Sequence, residues 1–202
     1  MGLRERKKQA TRRALQEAAA RLTLERGLEH VTVEEIAAEA DVSTRTFFNY
    51  FATKEEALLG DVPSAPDEEA RRIFAEGGPT GGFVDDLITL LTASLISAEG
   101  LAAHREAMRL RKQLMEREPQ LLPGMLARFH NMEQELSRAV AERTGASPED
   151  ARPQLVAATA MAVTRHTVKC LHFAEGEGVA DVRAVLRDAF RHVGDAYSPP
   201  ND

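Results

Sequence analysis

Apolar residues in this chain recur every three or four positions and almost nowhere alternate, a spacing that builds helices and leaves strands nearly without a signal. Leu15, Ala18, Ala19 and Leu22 share one helical face, and Gly27 stops that first helix, placed at about residues 4–26. Thr32-Val33-Glu34-Glu35 has the form of a capping box, in which hydroxyl and carboxylate each accept from the other residue's amide. The helix it opens carries Val33, Ile36, Ala37 and Ala40 on one side. Asp41 and Val42 make a tight turn, Ser43 caps a third helix running to about Phe51, and Thr53-Lys54-Glu55-Glu56 forms a second capping box that opens a fourth.

Two prolines in Gly60-Asp61-Val62-Pro63-Ser64-Ala65-Pro66 end that fourth helix and make a linker, because each removes a donor and crowds the preceding turn. A short helix at 67–76 follows, then a glycine-rich break at 77–82. Helices are expected at about 83–98, 101–117, 119–144, 148–175 and 179–197, ahead of a frayed tail at 198–202. The fold class is therefore all-α, a three-helix head in residues 1–59 and a larger helical bundle in 60–202.

Charge is divided unevenly between the two parts. Residues 1–21 carry seven Lys and Arg against two Glu, and residues 1–54 balance to +2, which leaves −8 for the remainder of a chain whose net charge is −6. A basic head on an acidic body is the asymmetry of a chain that meets a polyanion with one end. No apolar run reaches the roughly 18 residues that span a bilayer, and no secretion signal opens the sequence, so no membrane partner and a cytoplasmic location are expected. The single cysteine, Cys170, excludes an intramolecular disulfide and a Cys-based zinc site. The six histidines form no H-E-x-x-H spacing, Cys170 has no activating surroundings in the sequence, and the glycines at 77–82 lack the pattern of a phosphate loop. Catalysis, a bound metal and a cofactor are accordingly not expected.

Residues 32–51 contain two short helices joined by a tight turn, the layout of a helix-turn-helix. Such a unit buries small and apolar side chains on its inner side, here Ile36, Ala37, Ala40, Val42 and Phe47, and turns short polar or cationic groups outward to enter a major groove. Ser43, Thr44 and Arg45 occupy that outer start of the second helix, with Asn49 further along it. Thr32, Thr46, Tyr50 and Lys54 have the hydroxyl or ammonium groups that hold phosphates, and Lys8 and Arg12 extend the cationic surface onto the first helix.

The segment Thr32-Val33-Glu34-Glu35-Ile36-Ala37-Ala38-Glu39-Ala40-Asp41-Val42-Ser43-Thr44-Arg45-Thr46-Phe47-Phe48-Asn49-Tyr50-Phe51-Ala52-Thr53-Lys54-Glu55 resembles the signature of the TetR family of bacterial one-component transcriptional regulators. The resemblance is close over residues 10–60 and beyond them extends to helix number and length. It implies a homodimer on a palindromic double-stranded operator, released when a small molecule enters the larger domain. Thr44 and Arg45 fall where the family reads base edges, and Thr32, Thr46, Tyr50 and Lys54 on its phosphate-contacting positions. The chain departs from the pattern at Asp41, where a turn glycine is usual, and at Phe48, which lacks the hydroxyl of the tyrosine often found there.

In the larger domain the resemblance implies both ligand binding and dimerisation. The helix at 148–175 is apolar almost all round, and the last helix carries a stripe spaced near 3.5 residues. Together they suit a four-helix seam between two chains, with Leu155, Ala158, Ala162, Val182, Leu186 and Phe190 at the interface. A pocket is expected among Leu91, Met108, Met125, Phe129, Met132 and Met161, with Arg109 and His166 to orient a ligand, and the resemblance to relatives implies an acyl or other apolar compound. Two other readings keep the same head: a protein-interaction module, and an activator that requires its ligand.

Overall fold

The computed structural model describes residues 3–60, 66, 68–93, 100–171 and 179–197. Its helices are α1 (Leu3–Arg26), α2 (Val33–Glu39), α3 (Thr44–Phe48), α4 (Lys54–Leu59), α5 (Glu68–Ala75), α6 (Phe83–Ala93), α7 (Gly100–Arg117), α8 (Leu122–Thr144), α9 (Ala151–Leu171) and α10 (Val179–Ala196). Short 3-10 turns lie at Leu28–His30 and Pro119–Leu121. No strand occurs among the described residues. The chain is all-α, with an N-terminal helix-turn-helix domain followed by a larger helical one.

The chain divides into two compact units. The first comprises residues 1–62 with 106–128, and the second residues 63–105 with 129–202. The division falls inside α7 and α8, so helices of the longer C-terminal stretch complete the core of the first unit. Hydrophobic spacing locates a helix's apolar stripe but does not say which stripe covers it.

In the first unit, Leu15, Ala19 and Leu22 of α1 pack with Ile36, Phe47, Phe51 and Leu58, and Leu114 and Leu121 close the same core. Polar contacts reinforce it. The Leu28 amide donates to Glu118 Oε1 at 2.9 Å, and Arg117 donates to the Leu24 carbonyl at 2.8 Å. Arg128 donates to the carbonyls of Gly60 and Glu56, which would otherwise be orphaned at the C-terminus of α4. Gly60 adopts φ 63°, a conformation that calls for glycine.

In the second unit, Phe74, Leu87, Leu90, Leu91, Met132, Leu136, Val140, Ala157, Ala160 and Met161 form one core, and Ile88, Val163, Val182 and Leu186 a second. A buried ion pair lies among them. Asp86 Oδ2 accepts from Arg143 at 2.8 Å, while its Oδ1 accepts from the Thr80 amide and hydroxyl at 2.6 and 2.7 Å. Arg143 also donates to the Phe74 carbonyl and lies over the Phe74 ring, 4.7 Å from its centroid. Burial by itself pushes the Asp86 carboxyl up, but the Thr80 donors and the Arg143 guanidinium hold it below the usual carboxylate range.

Helix boundaries differ from the expected ones where side chains take over capping. α3 ends at Phe48, and Asn49 and Tyr50 continue as a turn. Pro119 tightens the first turn before α8 into a 3-10 turn, and α9 starts at Ala151 because the Ser147 amide bonds Asp150 Oδ2 in a turn ahead of it. The linker expected at 60–66 lies outside the described residues except at Gly60 and Pro66, as do the expected helical residues 94–98 and 172–175.

Candidate nucleic-acid interface

Capping chemistry builds the helix-turn-helix. At the start of α2 the Glu35 amide donates to Thr32 Oγ1 at 3.2 Å and the Thr32 amide donates to Glu35 Oε2 at 2.9 Å, the reciprocal box expected from sequence. Those Thr32 donors, with Arg26 nearby, hold the Glu35 carboxyl below its ordinary range. At the other end of α2, Asp41 stands at φ 54°, its amide donating to the Ala38 carbonyl and that of Val42 to Ala37. This pair of bonds is a Schellman stop with an aspartate where glycine is the easier residue. Ser43 then caps α3 by accepting from the Thr46 amide at 3.1 Å, and the two hydroxyls lie 2.9 Å apart.

α3 is anchored by Phe47, which is fully buried against Phe51. The exposed side chains of α3 and its C-cap are Arg45, Phe48 and Asn49, while Thr44 and Thr46 are half-buried on either flank. Positions i, i+3 and i+4 share one face of a helix, so these three present a single outward surface. Beside it lies an open groove of about 770 Å³ lined by Arg4, Lys7, Lys8, Thr11, Thr46, Asn49 and Tyr50. Cations on one wall and hydroxyl and amide groups on the other suit a phosphate backbone.

Two of the expected phosphate-binding cations have partners inside the head. Lys54 Nζ donates to the carbonyls of Leu28 and Val31 at 2.7 and 2.8 Å, and so ties the start of α4 to the 3-10 turn after α1. Arg12 donates to the Tyr50 carbonyl at 3.3 Å and lies over the Phe51 ring, 4.6 Å from its centroid, which fixes the segment after α3 against α1. Thr53 accepts from the Glu56 amide as expected, but the Glu56 carboxylate reaches past it to the Ala52 amide at 2.7 Å, so the second capping box is only half formed. Sequence reading missed Arg4 and Thr11 in the groove. Their signal was available, since Arg4, Lys7, Lys8 and Thr11 follow i, i+3, i+4, i+7 on α1.

Comparison with known proteins gives this geometry its context. Residues 15–59 match the family model described as bacterial regulatory proteins of the tetR family, and residues 85–198 match the MftR C-terminal domain model of the TetR regulators. The HTH-type transcriptional regulator TcmR of Streptomyces glaucescens is 38% identical over 174 residues, covering 81% of this chain and 74% of that protein. The chain belongs to the TetR family of bacterial regulators. It is a transcriptional regulator with a DNA-binding helix-turn-helix. In fold it is similar to a TetR-family regulator of Mesorhizobium loti, with a TM-score of 0.56 at 19% identity over 94% of this chain and 97% of that one. A transcriptional regulator of Aquifex aeolicus aligns at a TM-score of 0.47 with 14% identity, over 91% of this chain and 99% of that one.

The residues expected to serve a TetR-type pocket belong to both units. Leu91, Met132 and Met161 are buried in the main core of the second unit with Phe129 packed beside them, whereas Met125 packs in the core of the first. Arg109 and His166 are exposed, and the Met108 side chain lies outside the described residues. The expected dimer set also divides. Val182 and Leu186 are buried within the chain against Ile88 and Val163, with Phe190 packed beside them, so the α10 stripe faces its own unit. The outer side of α10 carries Arg187, Asp188, Arg191 and His192. On α9, by contrast, Leu155 is 65% exposed, Ala162 is exposed and Ala158 half-buried. Among the described residues no cluster of His, Cys, Asp and Glu is placed to hold a metal, and no helix is long and apolar enough to cross a membrane.

Proposed function

We propose that this regulator is a repressor that binds a palindromic operator as a homodimer and is released by a small apolar or amphipathic ligand. The observation that carries the reading is the outward face of Arg45, Phe48 and Asn49, flanked by the groove whose wall is built from Arg4, Lys7 and Lys8. A short helix with an arginine near its exposed start enters a major groove and pairs with O6 and N7 of guanine, while the cations beside it hold the backbone on either side. One such head reads too few base pairs for selectivity. Two heads spaced by about 34 Å read successive turns of the duplex, which supports a dimer. The apolar side of α9, with Leu155 and Ala162 exposed and Ala158 half-buried between them, is the surface offered for it.

The test is retention of sheared genomic DNA by the purified protein at moderate salt, followed by sequencing. Sharp peaks that share an inverted repeat are expected, with flanking genes that point to the ligand. Arg45→Ala is expected to cost about 1–3 kcal/mol on the operator and to relax selectivity at one position in each half-site. Equal loss on operator and random DNA refutes base reading by Arg45. Flat retention by the wild-type protein, at low salt and with ligand extracts added, refutes operator binding.

A further inference from the structure

The reading of α3 as a DNA-entering helix leaves Phe48 unexplained. Its neighbour Phe47 is fully buried, yet Phe48 is 58% exposed on the same five-residue helix. The two rings meet edge to face, with centroids 5.5 Å apart, which holds the Phe48 ring out from the surface in a defined place. A phenyl ring has no donor for a phosphate oxygen and no acceptor for a base amine. Its apolar surface nevertheless stands on the face shared with the polar side chains of Arg45 and Asn49.

We infer that Phe48 is a specificity-determining residue that packs on the C5-methyl group of a thymine in the major groove. That methyl is the apolar feature a base pair presents there, and only A·T and T·A pairs carry it. Phe48 follows Arg45 by three positions, which places their Cβ atoms about 5–6 Å apart on the helix. Successive base pairs rise by about 3.4 Å, so the thymine lies within two base pairs of the guanine that Arg45 reads. Arg45 and Phe48 together then select a purine–pyrimidine pattern that neither selects alone. The inference rests on the operator-binding reading above.

The experiment uses the full-length protein and an operator recovered by the genomic selection. Thymines in one half-site are replaced singly by deoxyuridine, which removes the methyl and leaves every hydrogen-bonding group in place. At one thymine within two base pairs of the Arg45-sensitive position, wild-type affinity is expected to fall about fourfold, the worth of one buried methyl. Phe48→Ala, an exposed change that leaves the core intact, is expected to bind the thymine and deoxyuridine duplexes equally while keeping its preference at the Arg45-sensitive pair. A deoxyuridine effect equal in wild type and Phe48→Ala overturns the contact, as does selective binding with no deoxyuridine effect near that pair. Loss of selective binding altogether in the wild-type protein overturns the operator reading and the contact with it, so the two failures are told apart.

Discussion

Lys54 separates a structural role from a DNA-binding one at a single side chain. Its ammonium is half-buried and donates to two backbone carbonyls, Leu28 at 2.7 Å and Val31 at 2.8 Å, across 26 and 23 residues of chain. Lys54→Met keeps most of the aliphatic stem and removes both bonds. A hydrogen bond involving a charged group contributes about 1.5–3 kcal/mol, but water reaches this half-exposed site and partly replaces the ammonium at each carbonyl. The expected loss is therefore about 2 kcal/mol in all, which for a chain of this length lowers Tm by about 4–8 °C. The assay pairs thermal and urea denaturation with the salt dependence of duplex binding. A lysine on a phosphate contributes about 0.9 to the slope of log K against log salt. The geometry predicts a lower Tm and an unchanged slope. An unchanged Tm with a slope reduced by about one unit would refute the reasoning and restore Lys54 to the phosphate backbone.

Asp86→Asn sets an amide against the Arg143 guanidinium in a buried site while keeping an acceptor for Thr80, and is expected to cost about 3–5 kcal/mol by urea denaturation. The folded Asp86 carboxyl lies below its ordinary value, so its stabilising contribution is present above the unfolded pKa of about 4 and is lost as pH falls through the lower folded value. The gap between wild type and Asp86→Asn should accordingly be constant from pH 6 to 8 and shrink in acid; a gap that widens in acid contradicts the assignment. Asp41→Gly relieves a left-handed aspartate at the Schellman stop of α2, less the extra backbone entropy that glycine loses on folding, and is expected to stabilise the head by about 0.5 kcal/mol. A fall in stability on that change would mean that the Asp41 carboxylate holds the turn.

The head was legible because its structure is set by near neighbours in sequence. Thr32 with Glu35, Ser43 with Thr46 and the turn at Asp41 each satisfy backbone groups within a few residues, so the pattern of residues and the bonds it makes are nearly the same information. Contacts at longer range were less legible. The stripe of Val182 and Leu186 on α10 declares a face that must be covered, but a partner chain and the chain's own α6 and α9 satisfy that demand equally, and here Ile88 and Val163 pack against it. A lysine beside a helix start likewise looks the same in sequence whether a phosphate or, as with Lys54 here, two carbonyls of a preceding turn accept from it. Met125 and Met132, seven residues apart on α8, belong to different cores because the boundary between the two units falls between them. Phe48 runs the other way. An aromatic residue is expected inside, and here its exposure breaks the local rule on the helix proposed to enter the major groove. Departures from local consistency collect where function overrides packing, and the thymine contact proposed for Phe48 accounts for its exposure in that way.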